Sequence, residues 1–214
     1  MKRIQLILIL FLLCTSALAA VDHFMLELVS GVTWLHNEAY GRDGAGDKDP
    51  DPIVYKAGLS FPLYFSETLF IKPSLTVIAK SWEYVSENNW AMPVDLMWQD
   101  LMVISLLLDI PFGYQLNFEN FSVGFFIGPA FDFRIPVWGE EQSVRDDLAD
   151  YFYSDFRIFN LSGGFFFVIP LSEKIAFTLN ADSWVPVHNF WSNGGLPFSD
   201  GFMVTLSAGV RFTF

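Results

Sequence analysis

Residues 202–214, F-M-V-T-L-S-A-G-V-R-F-T-F, alternate between two kinds of side chain along their whole length. One face is apolar: Phe202, Val204, Leu206, Ala208, Val210, Phe212 and Phe214. The other is mostly small or polar: Met203, Thr205, Ser207, Gly209, Arg211 and Thr213. Because side chains of a β-strand point alternately to opposite faces, the stretch is predicted to be a strand. Its 13 residues exceed the roughly 9 to 11 needed to cross a bilayer, so the apolar face suits either a protein core or lipid.

The first 19 residues have the pattern of a secretory signal peptide. Lys2 and Arg3 precede an apolar run at 4–13, and small residues stand at Ala17 and Ala19. The run is shorter than the roughly 20 residues of a membrane-spanning helix. Cleavage after Ala19 leaves residues 20–214 as one domain without cysteine. In the alternative, Cys14 is lipidated, although bulky Leu13 stands where a small residue is usual.

The composition is apolar for a chain with so few long apolar runs. Hydrophobic residues make up 52% and charged residues 17% of the sequence, and the formal net charge is −12. Removing Lys2 and Arg3 leaves 10 basic against 24 acidic residues, a charge of −14. No run of about 20 apolar residues follows the signal peptide. A membrane barrel fits this composition, since its strands need apolar residues only at alternate positions.

The same alternation recurs in eight segments, and the connections between them are alternately long and short. The predicted strands are 23–35, 53–65, 69–82, 101–114, 121–138, about 159–167, 174–184 and 202–214. The long connections are 37–52, 83–100, 139–155 and 185–201, and the short ones 66–68, 117–120 and 170–173. This pattern predicts an all-β fold, an eight-stranded antiparallel up-and-down transmembrane β-barrel with short periplasmic turns and four long extracellular loops. Closure removes the unpaired edges that hydrocarbon would not tolerate.

The charges and tryptophans agree with this topology. Sixteen of the 24 acidic residues fall in the long loops, and all seven tryptophans fall at the outer strand ends or in those loops, where a membrane interface is expected. No charge falls on a predicted lipid-facing side. The inward ionisable residues form two predicted layers, Glu27, Lys72, Asp109 and Arg211 towards the periplasm and Lys56, Lys80, Asp132, Arg134 and Asp182 nearer the outside. Because strands one and eight meet when the barrel closes, Glu27 and Arg211 are predicted to pair.

In this architecture the whole mature chain resembles small outer-membrane barrels of the OmpA, OmpX and OmpW type, and its acidic loops resemble OmpW-like barrels of spirochaetes. The resemblance implies a monomer in the lipid of the cell outer membrane. It also implies that the terminal strand, with Val210, Phe212 and Phe214, is read by the barrel-assembly machinery.

Two functions compete within this class. The first is OmpW-like passive uptake of small amphipathic or hydrophobic molecules through a narrow lumen. The alternative is a structural or surface-recognition barrel, adhesin-like, with a plugged lumen and acidic extracellular loops that bind a host surface molecule. An eight-stranded barrel is just wide enough for side chains to fill. The inward glycines either leave room for a ligand or let bulky neighbours pack: Gly31, Gly58, Gly124, Gly128, Gly164 and Gly209 beside Phe70, Phe126, Phe166 and Trp184.

Other classes have less support. Asp43, Asp47, Asp49 and Asp51 lie in a glycine-containing run but lack the spacing and closing Glu of an EF-hand, so no metal or cofactor is expected. An acyl-transfer site would require His36 and His188 to meet at the outer surface with Ser192 or Asp200 nearby. No motif in the sequence supports such an enzyme.

The acidity of the chain repels nucleic acid. The main alternative fold is a soluble lipocalin-like barrel, in which the apolar faces of the strands would point inward. The aromatic runs 151–153 and 190–191 are predicted to lie at the membrane interface or to touch headgroups or a partner.

Overall fold

A computed structural model describes residues 24–36, 51–85, 90–95, 101–139, 142–187 and 201–214 of the chain. The proposed signal peptide, its cleavage site and Cys14 lie outside the described residues, as do large parts of the first, second and fourth long connections.

Twelve strands and one α-helix make up the described part of the chain. In chain order the strands are β1 Met25–Leu35, β2 Ile53–Ser60, β3 Leu63–Tyr64, β4 Leu69–Ile71, β5 Ser74–Val85, β6 Trp90–Val94, β7 Met102–Asp109, β8 Phe112–Asn117, β9 Ser122–Trp138, β10 Phe159–Pro170, β11 Ile175–Pro186 and β12 Met203–Thr213. The helix α1 spans Gln142–Tyr153, and a short 3-10 helix, Ser154–Phe156, follows it. No helix in the described residues is both long and apolar enough to pass through a membrane.

The strands form one closed antiparallel sheet with eight wall segments. Five segments are single strands: β1, β9, β10, β11 and β12. The other three each consist of two strands in line, β2 with β3, β4 with β5, and β7 with β8. The barrel closes where β12 pairs with β1 along 11 residues of each strand. β6 adds a hairpin to the outer end of β5. The predicted eight-stranded up-and-down barrel is confirmed.

Proline accounts for the interruptions in three wall segments. Pro62, Pro73 and Pro111 stand at the breaks, where a residue without an amide hydrogen cannot donate to the ladder. The wall stays joined through carbonyl groups at the same level, because the Phe61 amide donates to Pro73 O at 2.9 Å and the Lys72 amide donates to Pro111 O at 3.0 Å. The breaks therefore interrupt the strands without opening the wall.

The strand register determines which side chains face outward. Apolar side chains at alternate positions are exposed on the outside, among them Leu28, Tyr55, Phe125, Ile127 and Leu206. No charged side chain is among the exposed residues of the described strands. An apolar outer wall of this kind is stable in hydrocarbon and not in water. A lipocalin-like arrangement, with the apolar face inward, is therefore wrong for this chain.

The third long connection differs from the irregular loop that the sequence predicted. It contains α1, whose apolar residues follow a helical period at Val144, Leu148, Tyr151 and Phe152. The second connection likewise contains β6 and an extension of β5. Both elements lie at the outer end of the barrel, where their side chains help to close the lumen.

Candidate functional site: the lumen and its outer mouth

A fully buried carboxylate, Glu27, organises the periplasmic half of the lumen. Arg211 donates to its Oε2 through Nη2 at 2.9 Å and Nε at 3.2 Å, across the β1–β12 pair. Lys72 Nζ donates to Oε1 at 3.3 Å. Thr178 Oγ1 and Asn180 Nδ2 each donate to the same oxygen at 3.1 Å. We call these five residues the lower network, in which one carboxylate neutralises two buried cations only in part.

Further hydrogen bonds complete the lower network. Lys72 Nζ also donates to Asn180 Oδ1 at 2.9 Å, and Arg211 Nη1 donates to the hydroxyl of Tyr64 at 3.2 Å. Tyr64 in turn donates to Gln115 Oε1. Below them, a recess of about 330 Å³ lies at the periplasmic end. Buried ions are tolerated when their hydrogen-bonding capacity is met in this way.

Aromatic rings close the lumen beside the lower network. Phe70 and Phe166 are fully buried and pack edge to face, with 5.4 Å between ring centroids. Lys72 Nζ lies 4.9 Å and the Arg211 guanidinium 5.2 Å from the centroid of the Phe166 ring. At these distances the cations are attracted to the ring face. The lower half of the lumen is therefore filled by side chains.

The inward glycines make room for these rings. A Cβ at Gly124 would lie 2.2 Å from the Phe166 ring, and one at Gly113 would lie 2.1 Å from the Phe70 ring. Of the two roles that the sequence left open, packing against bulky neighbours is the one that the structure shows at Gly124.

An ion pair and a lone carboxylate occupy the middle of the lumen. Lys56 Nζ bonds to Asp182 Oδ2 at 3.0 Å and lies 4.9 Å from the centroid of the Trp184 ring. Asp109 accepts a hydrogen bond from Ser74 and has no ion-pair partner among the described residues. A cavity of about 30 Å³ lies between these groups.

Another ion pair lies nearer the outside. Arg134 Nε donates to Asp132 Oδ2 at 2.7 Å. The guanidinium carbon lies 5.2 Å from the ring centroids of both Trp82 and Phe152. Because Phe152 belongs to α1 and Trp82 to β5, Arg134 is one of the contacts that tie the helix to the wall.

The remaining predicted base, Lys80, finds its partner in the first long connection. Lys80 Nζ bonds to Asp51 Oδ2 at 2.7 Å and donates to the carbonyl of Ile53 at 3.0 Å. Burial acts to raise the pKa of Asp51, but the hydrogen bonds from Lys80 and from the Ile53 amide hold that pKa below its ordinary value. With Asp51 included, five acidic side chains balance five basic ones along the lumen.

An apolar cluster blocks the outer end of the lumen. From α1, Leu148, Tyr151 and Phe152 point into the barrel and are at most 5% exposed. The Phe152 ring packs edge to face on Trp82, with 5.0 Å between centroids. We call the whole set the mouth cluster: Leu35, Val54, Ile78, Trp82, Ala91, Leu101, Val103, Leu107, Ala130, Leu148, Tyr151, Phe152, Trp184 and Met203.

The structure places the predicted lumen residues inside the barrel and brings most of them together. Glu27 meets Arg211, as predicted, and Lys72 joins them. Asp109 lies at the boundary between the two predicted layers, beside the central cavity. Of the predicted assembly residues, Val210 and Phe214 are exposed on the outside, and the Phe214 ring lies 5.8 Å from that of Phe24.

Several predicted interface residues are instead inside the barrel. Trp82 is 3% exposed, and Trp184, which the sequence also placed on an inward face, is 2% exposed. Among the tryptophans whose side chains the structure describes, Trp34 and Trp138 are exposed at the outer end. Tyr151 and Phe152 are also buried, whereas Tyr153 is exposed. The prediction of an interface role is wrong for Tyr151 and Phe152 because the helical period of α1 turns them towards the lumen.

Sequence reasoning also missed residues that the structure shows to matter. Leu148 of α1 was not identified, although its spacing of four and three residues from Val144 and Tyr151 was a usable helical pattern. Nothing in the sequence marks Asn180 and Thr178 as partners of Glu27.

The residues of the calcium-loop and acyl-transfer alternatives lie mostly outside the described residues: Asp43, Asp47, Asp49, His188, Ser192 and Asp200. Of the described members, Asp51 pairs with Lys80, and the ring of His36 stacks on Trp34 at 5.3 Å. Within the described ranges no group of three or more His, Cys, Asp or Glu residues is placed to hold a metal ion.

Several solved structures with the same architecture are outer-membrane proteins, while the sequence matches no model of a protein family and no curated protein. Neisserial surface protein A is similar with 10% sequence identity and a TM-score of 0.52, over 89% of this chain and 97% of that one. OprG from Pseudomonas aeruginosa is 9% identical with a TM-score of 0.52, over 89% and 95% of the two chains.

Ail, the attachment invasion locus protein of Yersinia pestis, is 8% identical with a TM-score of 0.50, over 90% and 98%. These likenesses establish the fold. Together with the apolar, uncharged outer wall, they show an integral β-barrel of the outer membrane.

Proposed function

We propose that this barrel is closed to solutes and acts at the cell surface, with its filled lumen serving as a rigid support for the outer end. The observation behind the proposal is that side chains occupy the lumen at two separate levels. Phe70, Phe166 and the lower network fill the periplasmic half, and the mouth cluster fills the outer end. A solute would have to displace both.

The outer end offers a surface for recognition. The side of α1 that faces away from the lumen carries exposed Asp146, Asp147 and Asp150. In a chain of net charge −12 this favours a partner with a basic surface, held by charges that salt can screen. The name of the Yersinia pestis barrel describes attachment, a role that needs no pore.

OmpW-like uptake of a small amphipathic molecule is the second candidate. One feature favours it, since α1 belongs to a connection and not to the wall, so its undocking would expose an aromatic mouth lined by Trp82 and Trp184. The molecule would then meet the ion pairs and the Phe70–Phe166 contact, which belong to the wall. This second level makes uptake the weaker candidate.

Conductance of the barrel in a planar bilayer separates the two candidates. The wild-type protein and a variant with Asp132→Asn and Arg134→Gln should both show no openings. Leu148→Asp, which undocks α1 by placing a charge in the mouth cluster, should also remain closed because the lower seal is intact. Steady openings in the wild type would favour uptake, and openings in Leu148→Asp alone would show that α1 is the gate.

Binding to cells tests the recognition role. Poly-L-lysine added from outside should bind cells that display the wild-type barrel, and the triple change Asp146→Asn, Asp147→Asn, Asp150→Asn should weaken this binding several-fold at low salt. Glu119→Gln with Glu173→Gln, at the opposite end of the barrel, is the matched control and should bind like the wild type. Equal binding by all three proteins would count against α1 as the recognition surface.

We also propose that the terminal strand, with Val210, Phe212 and Phe214, is recognised by the barrel-assembly machinery. The exposed Phe214 ring contributes little to the barrel interior. Deleting Phe214 should therefore reduce the amount of barrel inserted in the outer membrane more than it reduces the stability of the folded barrel. Unchanged insertion, measured by protease accessibility of the outer loops on cells, would contradict this role.

A further inference from the structure

We infer that the middle of the lumen is a hydration site, in which about two water molecules are held by Ser60, Asp182, Trp184 and Ser207. The site lies between the lower network and the mouth cluster. The inference is independent of the proposed function, since a conduit or a closed barrel could each contain such a site.

The size of the central cavity matches this content. Its volume is about 30 Å³, and one water molecule needs roughly 10–15 Å³ on the same measure. Most of the lining residues are polar or charged, among them Lys56, Lys72, Asp109 and Asp182. A drug-sized or lipid-like molecule does not fit in this volume.

Four polar atoms on residues that line the cavity have no hydrogen-bond partner in the described protein. They are Ser60 Oγ, Ser207 Oγ, Asp182 Oδ1 and Trp184 Nε1. Ser60, Ser207 and Trp184 are each more than nine-tenths buried, at 2%, 7% and 2% exposure. Because a buried polar group without a hydrogen bond costs free energy, four such groups around one cavity point to a shared ligand.

The chemistry of these four atoms requires a ligand that both donates and accepts. The Trp184 indole only donates, the ionised Asp182 oxygen only accepts, and the two serine hydroxyls do either. A metal cation would leave the indole unsatisfied, and a halide would leave the carboxylate oxygen unsatisfied. Water satisfies both.

Charge also favours a neutral ligand. Two basic side chains, Lys56 and Lys72, and two acidic ones, Asp109 and Asp182, line the cavity, so its formal charges already cancel. An added ion would leave a net charge in the narrow interior, where unpaired charge is costly. The hydration site is thus a neutral link between the Lys56–Asp182 pair and the lone carboxylate of Asp109.

Crystallography of the full barrel tests the content directly. A map at about 2 Å resolution should show ordered water peaks within hydrogen-bond distance of Trp184 Nε1 and Asp182 Oδ1. Crystals soaked in rubidium or bromide salts should show no anomalous peak in the cavity. An anomalous peak in the cavity would show that an ion and not water occupies it. Side chains collapsed into the cavity would show that the hydration site does not exist.

Solution NMR in lipid nanodiscs provides a second test on the unmodified protein. The Trp184 indole proton should show a magnetisation-transfer peak to water with the sign expected of long-lived bound water. Trp138, whose side chain is 72% exposed, is the internal control and should contact only rapidly exchanging water. Ser207→Ala should weaken the Trp184 peak and leave that of Trp138 unchanged. Absence of a Trp184 peak in the wild type would contradict the inference.

Discussion

The two ends of the lumen are closed in opposite ways. The lower network closes the periplasmic half with charges held in position by the wall itself, where Glu27 of β1 faces Arg211 of β12. The mouth cluster closes the outer end with apolar side chains, three of them brought in by α1 from a connection. The lower closure is therefore part of the barrel fold, whereas the upper closure depends in part on a docked helix, and we predict that this helix can open while the barrel stays intact.

The difference lies in which contacts are lost when each region opens. Opening the lower network would separate buried ions, and an unpaired buried charge is among the most costly defects in a protein interior. Opening the mouth cluster exposes aromatic and aliphatic surface at the outer end, at a cost that grows with the area exposed. The four predictions below test this contrast, beginning with the largest expected effect.

Removing the carboxylate of Glu27 should have the largest effect on global stability. Glu27→Ala leaves Lys72 and Arg211 buried with no acidic partner, and removing one side of a buried pair costs about 3–5 kcal/mol. Urea unfolding of the barrel in lipid vesicles measures the loss. Glu173→Ala, at an exposed periplasmic turn, is the control and should change stability by less than about 0.5 kcal/mol.

A Glu27→Ala variant as stable as this control would show that the lower network contributes no net stability. The contrast between the two ends would then have to be abandoned.

Removing the Phe152 ring should have a large but local effect. Phe→Ala in a packed core costs about 3 kcal/mol or more, which corresponds to roughly 100-fold faster hydrogen exchange of the α1 amides if only the helix opens. The unfolding midpoint of the barrel should stay close to that of the wild type. Tyr153→Ala removes the exposed neighbour and should leave the exchange of α1 nearly unchanged.

Loss of barrel stability in Phe152→Ala equal to the loss of α1 protection would contradict this expectation. It would show that the helix and the wall unfold as one cooperative unit.

Adding a single methyl group at Gly124 should have a smaller effect than either change above. The new Cβ would lie 2.2 Å from the fully buried Phe166 ring, and overpacking of this kind costs about 1–3 kcal/mol. The matched control is Gly163→Ala on the outer face, where the new Cβ meets no atom closer than 3.4 Å. Equal unfolding midpoints for the two variants would mean that the Phe166 ring has room to move.

These comparisons also explain what the sequence could and could not predict. Glu27 and Arg211 could be paired in advance because a two-residue period determines the inward face, and closure of the barrel brings the first and last strands together. The same reasoning predicted which residues face lipid, since an apolar position in the wall has only two directions available.

The mouth cluster could not be predicted in the same way. Leu148, Tyr151 and Phe152 follow a helical period within a stretch that also carries many acidic residues, and the acidic residues suggested a solvated loop. Even with the helix identified, its docking inside the lumen depends on Trp82 and Arg134 from distant strands. Partners such as Asn180 and Asp51 likewise depend on side-chain reach across the barrel, which alternation along one strand does not encode.

The smallest expected effect concerns Asp51, which joins the first connection to the upper lumen. Since its pKa is lowered in the folded barrel, the ionised Asp51 contributes stability above its ordinary pKa of 3.8, and that contribution is lost as pH falls through the lowered pKa. Because Asp51 is partly exposed, the contribution should be at most about 1 kcal/mol. Protection of the Ile53 amide, whose hydrogen is donated to Asp51, should therefore be a few-fold higher in wild type than in Asp51→Asn at pH 6, and the difference should vanish in strong acid. A difference that persists unchanged in strong acid would show that the Lys80 ion pair does not hold this connection, and that the outer end depends on apolar contacts alone.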